Sequence, residues 1–71
     1  MMARPWNNKA EAIETASAIA KIYQATGAVP EAMVESINHT IKVSLRTFPG
    51  VVRAFYEELA RQCPEASKYF S

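Results

Sequence analysis

NKAEAIETASAIAKIYQATGAVP, residues 8–30, decides the fold. At 100° per residue, Ala12, Ile13, Ala16, Ile19, Ala20, Ile22 and Tyr23 fall on one half of a helical wheel, while Glu11, Glu14, Ser17, Lys21 and Gln24 lie opposite or at its borders. The stretch therefore predicts a helix over Lys9–Thr26. Asn7 or Asn8 can cap its start, and Asn8 with Glu11 has the spacing of a capping box. Gly27 supplies a left-handed stop. Ala12, Ala16 and Ala20 recur every four residues, forming a small-residue strip that lets another helix approach closely.

Outward from that stretch, prolines divide the rest of the chain. A second helix is expected over Pro30–Thr47, because proline suits the first turn and Glu31 suits the positive end of the helix dipole. Its main apolar stripe is Met33, Val34, Ile37, Ile41, Leu45 and Phe48, with Glu31, Glu35, Asn38, Lys42 and Arg46 on the far side. The Phe48-Pro49-Gly50 break opens a third helix running to Gln62, with Val51, Val52, Phe55, Tyr56, Leu59 and Cys63 on one face. Arg53, Glu57 and Arg61 form an i,i+4 ladder on the other. Residues 64–70 make one or two further turns, with Ala66, Tyr69 and Phe70 on the apolar side, and residues 1–7 form a leading arm. No strand pattern or internal repeat is present. The expected architecture is all-α and one domain, a helical hairpin followed by a third helix and a C-terminal turn.

Seventy-one residues leave room for a core that rarely supplies more than about 3–5 kcal/mol unaided. A single cysteine, Cys63, excludes an intrachain disulfide, and with His39 as the only histidine there is no structural zinc site. Self-association, or a very regular helical core, is then the expected source of extra stability. Ala12, Ala16, Ile19, Ala20, Tyr23, Met33, Ile37 and Ile41 are the candidate dimer or core packing residues, with the first two helices interlocking with their symmetry mates.

With 49% hydrophobic and 21% charged residues the chain is not of the disordered class. Its net charge of +1 lacks the basic bias of a dedicated nucleic-acid or membrane-surface protein. No apolar run reaches membrane-spanning length, since Glu11, Glu14 and Lys21 interrupt the richest one. The leading Met-Met-Ala-Arg-Pro-Trp lacks the apolar segment of a signal peptide, so a cytoplasmic location is expected.

Catalytic patterns are absent. The two glycines, Gly27 and Gly50, sit at helix breaks and make no phosphate loop. Glu57 and Glu58 are adjacent and point about 100° apart, so they do not form a carboxylate pair. Cys63 with His39 as its base is the one nucleophile the residues allow, and a small buried hydrophobe closing the third helix explains Cys63 better. No enzyme activity, metal or cofactor is expected. A helix-turn-helix around Gly27 is the DNA-binding alternative. Against it, the second helix would lead with Glu31 and Glu35 toward phosphate, and bulky Tyr23 stands where such motifs pack tightly.

Protein binding remains. Glu35, Ser36, His39, Thr40, Val43 and Arg46 form the candidate partner-binding strip, an apolar centre with a polar rim. Trp6 is either a further anchor or a residue packed across the end of the first helix.

From Asn8-Lys9-Ala10-Glu11 through Gly27-Ala28-Val29-Pro30 to Phe48-Pro49-Gly50, the plan resembles the small quorum-sensing anti-activator proteins encoded by phages of pseudomonad-type hosts. The resemblance covers roughly residues 8–63 and lies in length, helix order and connections, so it assigns no role to any single residue. It implies an all-helical homodimer that binds a LuxR-type transcription activator and blocks its DNA binding. It also implies that the ATPase assembling type IV pili can be a second partner. A small DNA-binding regulator and a structural dimerisation module are the alternative functions.

Overall fold

The computed structural model describes residues 4–70, and every regular element among them is helical. Helix α1 (Lys9–Thr26) starts at Asn8, whose extended backbone lets its side chain accept the Glu11 N–H at 3.0 Å. The Glu11 carboxylate in turn accepts the Asn7 N–H at 2.9 Å, so this capping pair satisfies two donors at the helix start. At the other end Gly27 adopts φ 81° and donates its N–H to the Tyr23 carbonyl at 2.7 Å, the left-handed stop that favours a residue without Cβ.

Helix α2 (Glu31–Thr47) begins one residue later than expected. Pro30 caps it with ψ 139°, an extended conformation just outside the helix. Helix α3 (Pro49–Gln62) does carry proline at its first position. A short α4 (Pro64–Ser67) and a 3-10 turn (Lys68–Phe70) follow.

The core forms where α1 meets α3. Ala12, Ala16, Ile19 and Ala20 are all buried, and the small side chains of the three alanines let α3 approach with Val52, Phe55 and Leu59 in the shared core. The alanine strip is thus covered within a single chain. Phe55 has no exposed surface. Trp6 stacks on it at 4.8 Å between ring centroids, while Tyr56 and Phe70 meet it edge-on at 5.5 and 5.7 Å. Gln62 ties the same two helices at their edge, giving its amide to Ser17 Oγ at 2.7 Å and to Glu58 at 2.6 Å.

The expected hairpin of the first two helices does not form. Among the described residues no Cα of α1 lies within 8 Å of one in α2, and α2 instead rests on α3 and the C-terminal turn. Buried Val29 pins the connection down and extended Pro30 leads the chain away from α1, whose small-residue face is already occupied by α3.

The buried face of α2 also differs from its apolar stripe. Thr40, Ile41 and Ser44 are buried, Met33, Val34 and Ile37 are half-buried, and Leu45 and Phe48 are 51% and 41% exposed. The cause is the arm. Trp6, whose indole donates to Thr15 Oγ1 at 3.0 Å, brings its backbone N–H into the core, and Ser44 Oγ accepts it at 3.0 Å. A buried N–H requires an acceptor, so α2 turns its serine inward and its Leu45 outward. Trp6 itself is a core residue lying across α1 and α3.

The last turn docks. Phe70 is buried, and its carbonyl accepts the Tyr56 hydroxyl at 2.8 Å. Exposed Tyr69 lies edge-on to half-buried Tyr23 at 6.2 Å. Cys63 is buried at the junction of α3 and α4. The expected ladder on α3 is replaced by an Arg61–Glu58 pair one turn apart. Gln62 fixes Glu58 at the edge of the α1–α3 contact, where Arg61 can reach it.

Candidate functional site

Helix α2 is the element the fold presents most openly, because only its Thr40–Ile41–Ser44 side is buried. Its opposite side carries Glu31, Glu35, His39, Lys42 and Arg46, all exposed. His39, Lys42, Val43 and Arg46 line a shallow depression of about 260 Å³. Half-buried Val43 forms its apolar element, and three nitrogen-bearing side chains form its rim. A neighbouring depression of about 290 Å³ is lined by Glu35, Asn38, His39 and Lys42, so His39 and Lys42 belong to both.

This arrangement divides the strip expected from the sequence. Glu35, His39, Val43 and Arg46 remain together around these depressions. Ser36 and Thr40 do not join them. They line a separate groove of about 490 Å³ between the arm, α1 and α2, together with Trp6, Thr15, Glu11 and Glu14. Thr40 is only 7% exposed, so it is not a contact residue on an outer surface. It turns inward with Ser44, four residues on, because that is the side of α2 the arm draws in.

Lys42 and Asn38 are the residues that the strip lacked. Lys42 stands three residues from His39 and four from Arg46, and Asn38 three from Glu35 and four from Lys42, so both are helical neighbours of the group. That spacing is legible in the sequence, although both residues also belong to the charged far side of the helical wheel.

Of the packing candidates, Ala12, Ala16, Ile19, Ala20 and Ile41 are buried within the chain, and Tyr23, Met33 and Ile37 pack against that cluster half-buried. His39 stands exposed on α2 while Cys63 is buried after α3, so the described structure gives the thiol no open surface of its own. Among the described residues no group of three His, Cys, Asp or Glu side chains is placed to hold a metal ion, and no helix is long and apolar enough to cross a membrane.

The electrostatics of α2 are segregated along its length. Acidic residues occupy the N-terminal half and basic residues the C-terminal half, with Glu31 in the first turn and Arg46 in the last. Both end charges complement the helix dipole. No family model matches the chain, and comparisons with curated proteins and with solved structures find no match.

Proposed function

We propose that this chain is a small, non-catalytic, protein-binding inhibitor of the phage type, acting in the cytoplasm of a bacterial host. Its partner is a LuxR-type quorum-sensing transcription activator, and binding prevents that activator from engaging DNA. The observation that carries the binding role is the presentation of α2. One side is held in the core by Ile41 and Ser44, while the other offers the His39–Lys42–Val43–Arg46 depression, with Leu45 and Phe48 exposed at the helix end. A half-buried valine inside a polar rim is the usual anatomy of a contact surface.

The class of partner comes from the resemblance of the chain's plan to the phage anti-activators, which also makes the ATPase that assembles type IV pili a second partner. Glu31 and Glu35 suit the DNA-contacting face of an activator, which must be basic to hold phosphate. Such complementarity speeds association more than it deepens affinity.

The test is displacement. Purified activator is bound to its operator DNA and the protein is added at increasing concentration. Release of the DNA is expected, and Val43→Asp is expected to abolish release while leaving the helical signal and native mass unchanged. DNA that stays bound to the activator while the added protein itself shifts DNA, with a steep loss at higher salt, would replace this reading with that of a small DNA-binding regulator.

A further inference from the structure

The charged face of α2 has a pattern that the monomer does not use. Glu31, Glu35, Lys42 and Arg46 are all exposed and fall within an arc of about 60° on the helix. Among the described residues none of the four is held in an ion pair. Neighbours one turn apart carry the same sign, Glu31 with Glu35 and Lys42 with Arg46, an arrangement that is mildly repulsive within a helix. The dipole accounts for Glu31 and Arg46, but its effect fades beyond the terminal turns and leaves Glu35 and Lys42 unexplained.

The positions explain them together. Glu35 and Lys42 are equidistant from the midpoint between Asn38 and His39, and so are Glu31 and Arg46. An antiparallel copy of the same helix therefore presents a base to every acid. We infer that two copies of this chain pair antiparallel along α2, about a two-fold axis between Asn38 and His39. Glu31 then faces Arg46 of the second copy, Glu35 faces Lys42 of the second copy, and symmetry doubles both pairs. A parallel arrangement sets acid against acid, so the charges also fix the orientation.

The seam lies opposite the buried side of α2, so pairing requires no rearrangement of the core. Along one edge, exposed Leu45 comes within a turn of Val34 of the second copy, which gives the contact an apolar margin. Val43 and Ser36 fall on the other edge and stay open, twice over, on the same side of the pair. Pairing occupies Glu31, Glu35, Lys42 and Arg46, so these charges serve either the second copy or the activator at one time, and only the Val43 and Ser36 edge stays open in the dimer. Exposed ion pairs are individually weak and screened by salt, so the association is concentration-dependent and salt-sensitive.

Charge reversal with rescue tests it, read as native mass by sedimentation across a concentration series at low and high salt. The wild-type chain is expected to shift from 7.9 kDa toward twice that mass as concentration rises, and less so at high salt. Arg46→Glu and Glu31→Arg are each expected to weaken pairing by roughly tenfold or more, since each opposes like charges twice per dimer. The double variant Glu31→Arg/Arg46→Glu should restore it. Glu35→Lys/Lys42→Glu provides the same rescue at the second pair, with the helical signal confirming that each variant folds. A chain that stays monomeric throughout, single reversals that leave association unchanged, or double reversals that fail to restore it would each overturn the pairing.

Discussion

The two sides of α3 are held by different means. Toward α1 the contact is close and almost wholly apolar, built from alanines that let the backbones approach and from Phe55 and Leu59 that fill the remaining space. Toward α2 the contact is thinner. A serine and a threonine occupy buried positions there, and two large apolar residues at the helix end remain exposed. Burial fixes the first pair of helices, whereas α2 depends in part on one hydrogen bond from the arm. An element fixed in that way can be displayed at little cost to the rest of the molecule, and its free face stays open to solvent.

Phe55→Ala should break the contrast altogether. It removes the one side chain that touches Trp6, Tyr56 and Phe70 together, and a loss of about 3–5 kcal/mol is expected. Urea unfolding followed by Trp6 fluorescence and by helical signal should shift together.

Ser44→Ala should sharpen the contrast. It leaves the buried Trp6 N–H without an acceptor, at a cost of about 1–3 kcal/mol. Amide exchange should accelerate in α2 more than in α1 or α3. Uniform acceleration would mean that α2 is no more loosely held than its neighbours.

Tyr56→Phe removes the hydroxyl that holds the Phe70 carbonyl and should cost about 0.5–1.5 kcal/mol. Burial raises the Tyr56 phenol above its ordinary value of 10.0. Folding therefore favours the neutral phenol. This contribution is complete below pH 10.0 and is lost as pH rises from there through the raised folded value. Thermal unfolding across an alkaline pH series should show a smaller decline in the variant than in the parent chain.

The smallest effect is expected at Glu58. Hydrogen bonds from Arg61 and Gln62 hold its carboxyl below the ordinary 4.5. Its contribution is present above that value and is lost as pH falls through the lowered one. Glu58→Gln should flatten this acid-side dependence in a thermal unfolding series while leaving the α1–α3 contact in place, because burial and not charge fixes that side.

Local features were legible in the sequence because their causes are local. Asn8, Gly27 and Pro49 act through their own backbone and nearest turn, and the helix ends fall at or within a residue of where these residues place them. The face of α2 was not legible. Leu45 and Phe48 continue an apolar period that points inward on any helical wheel. What overrides it is Trp6, 38 residues before Ser44, whose amide demands a polar partner inside the core. The choice of neighbour for α1 was hidden for a similar reason. A strip of alanines announces a close contact without saying which helix makes it. At the candidate site, the helical spacing of His39, Val43 and Arg46 is enough to set them around one depression. The inward turn of Thr40 follows from the same distant hydrogen bond and had no signal near residue 40.

That bond also has a consequence in time. Trp6 leaves the ribosome before α1, but each surface that receives it is made later. Ser44 and then Phe55 follow it in the chain, and Phe70 completes the ring cluster. The capped first helix can flicker into existence early, while its apolar side waits uncovered. The chain's most hydrophobic helix thus emerges before the helix that covers it, and a chaperone or protease has its best opportunity before α3 follows.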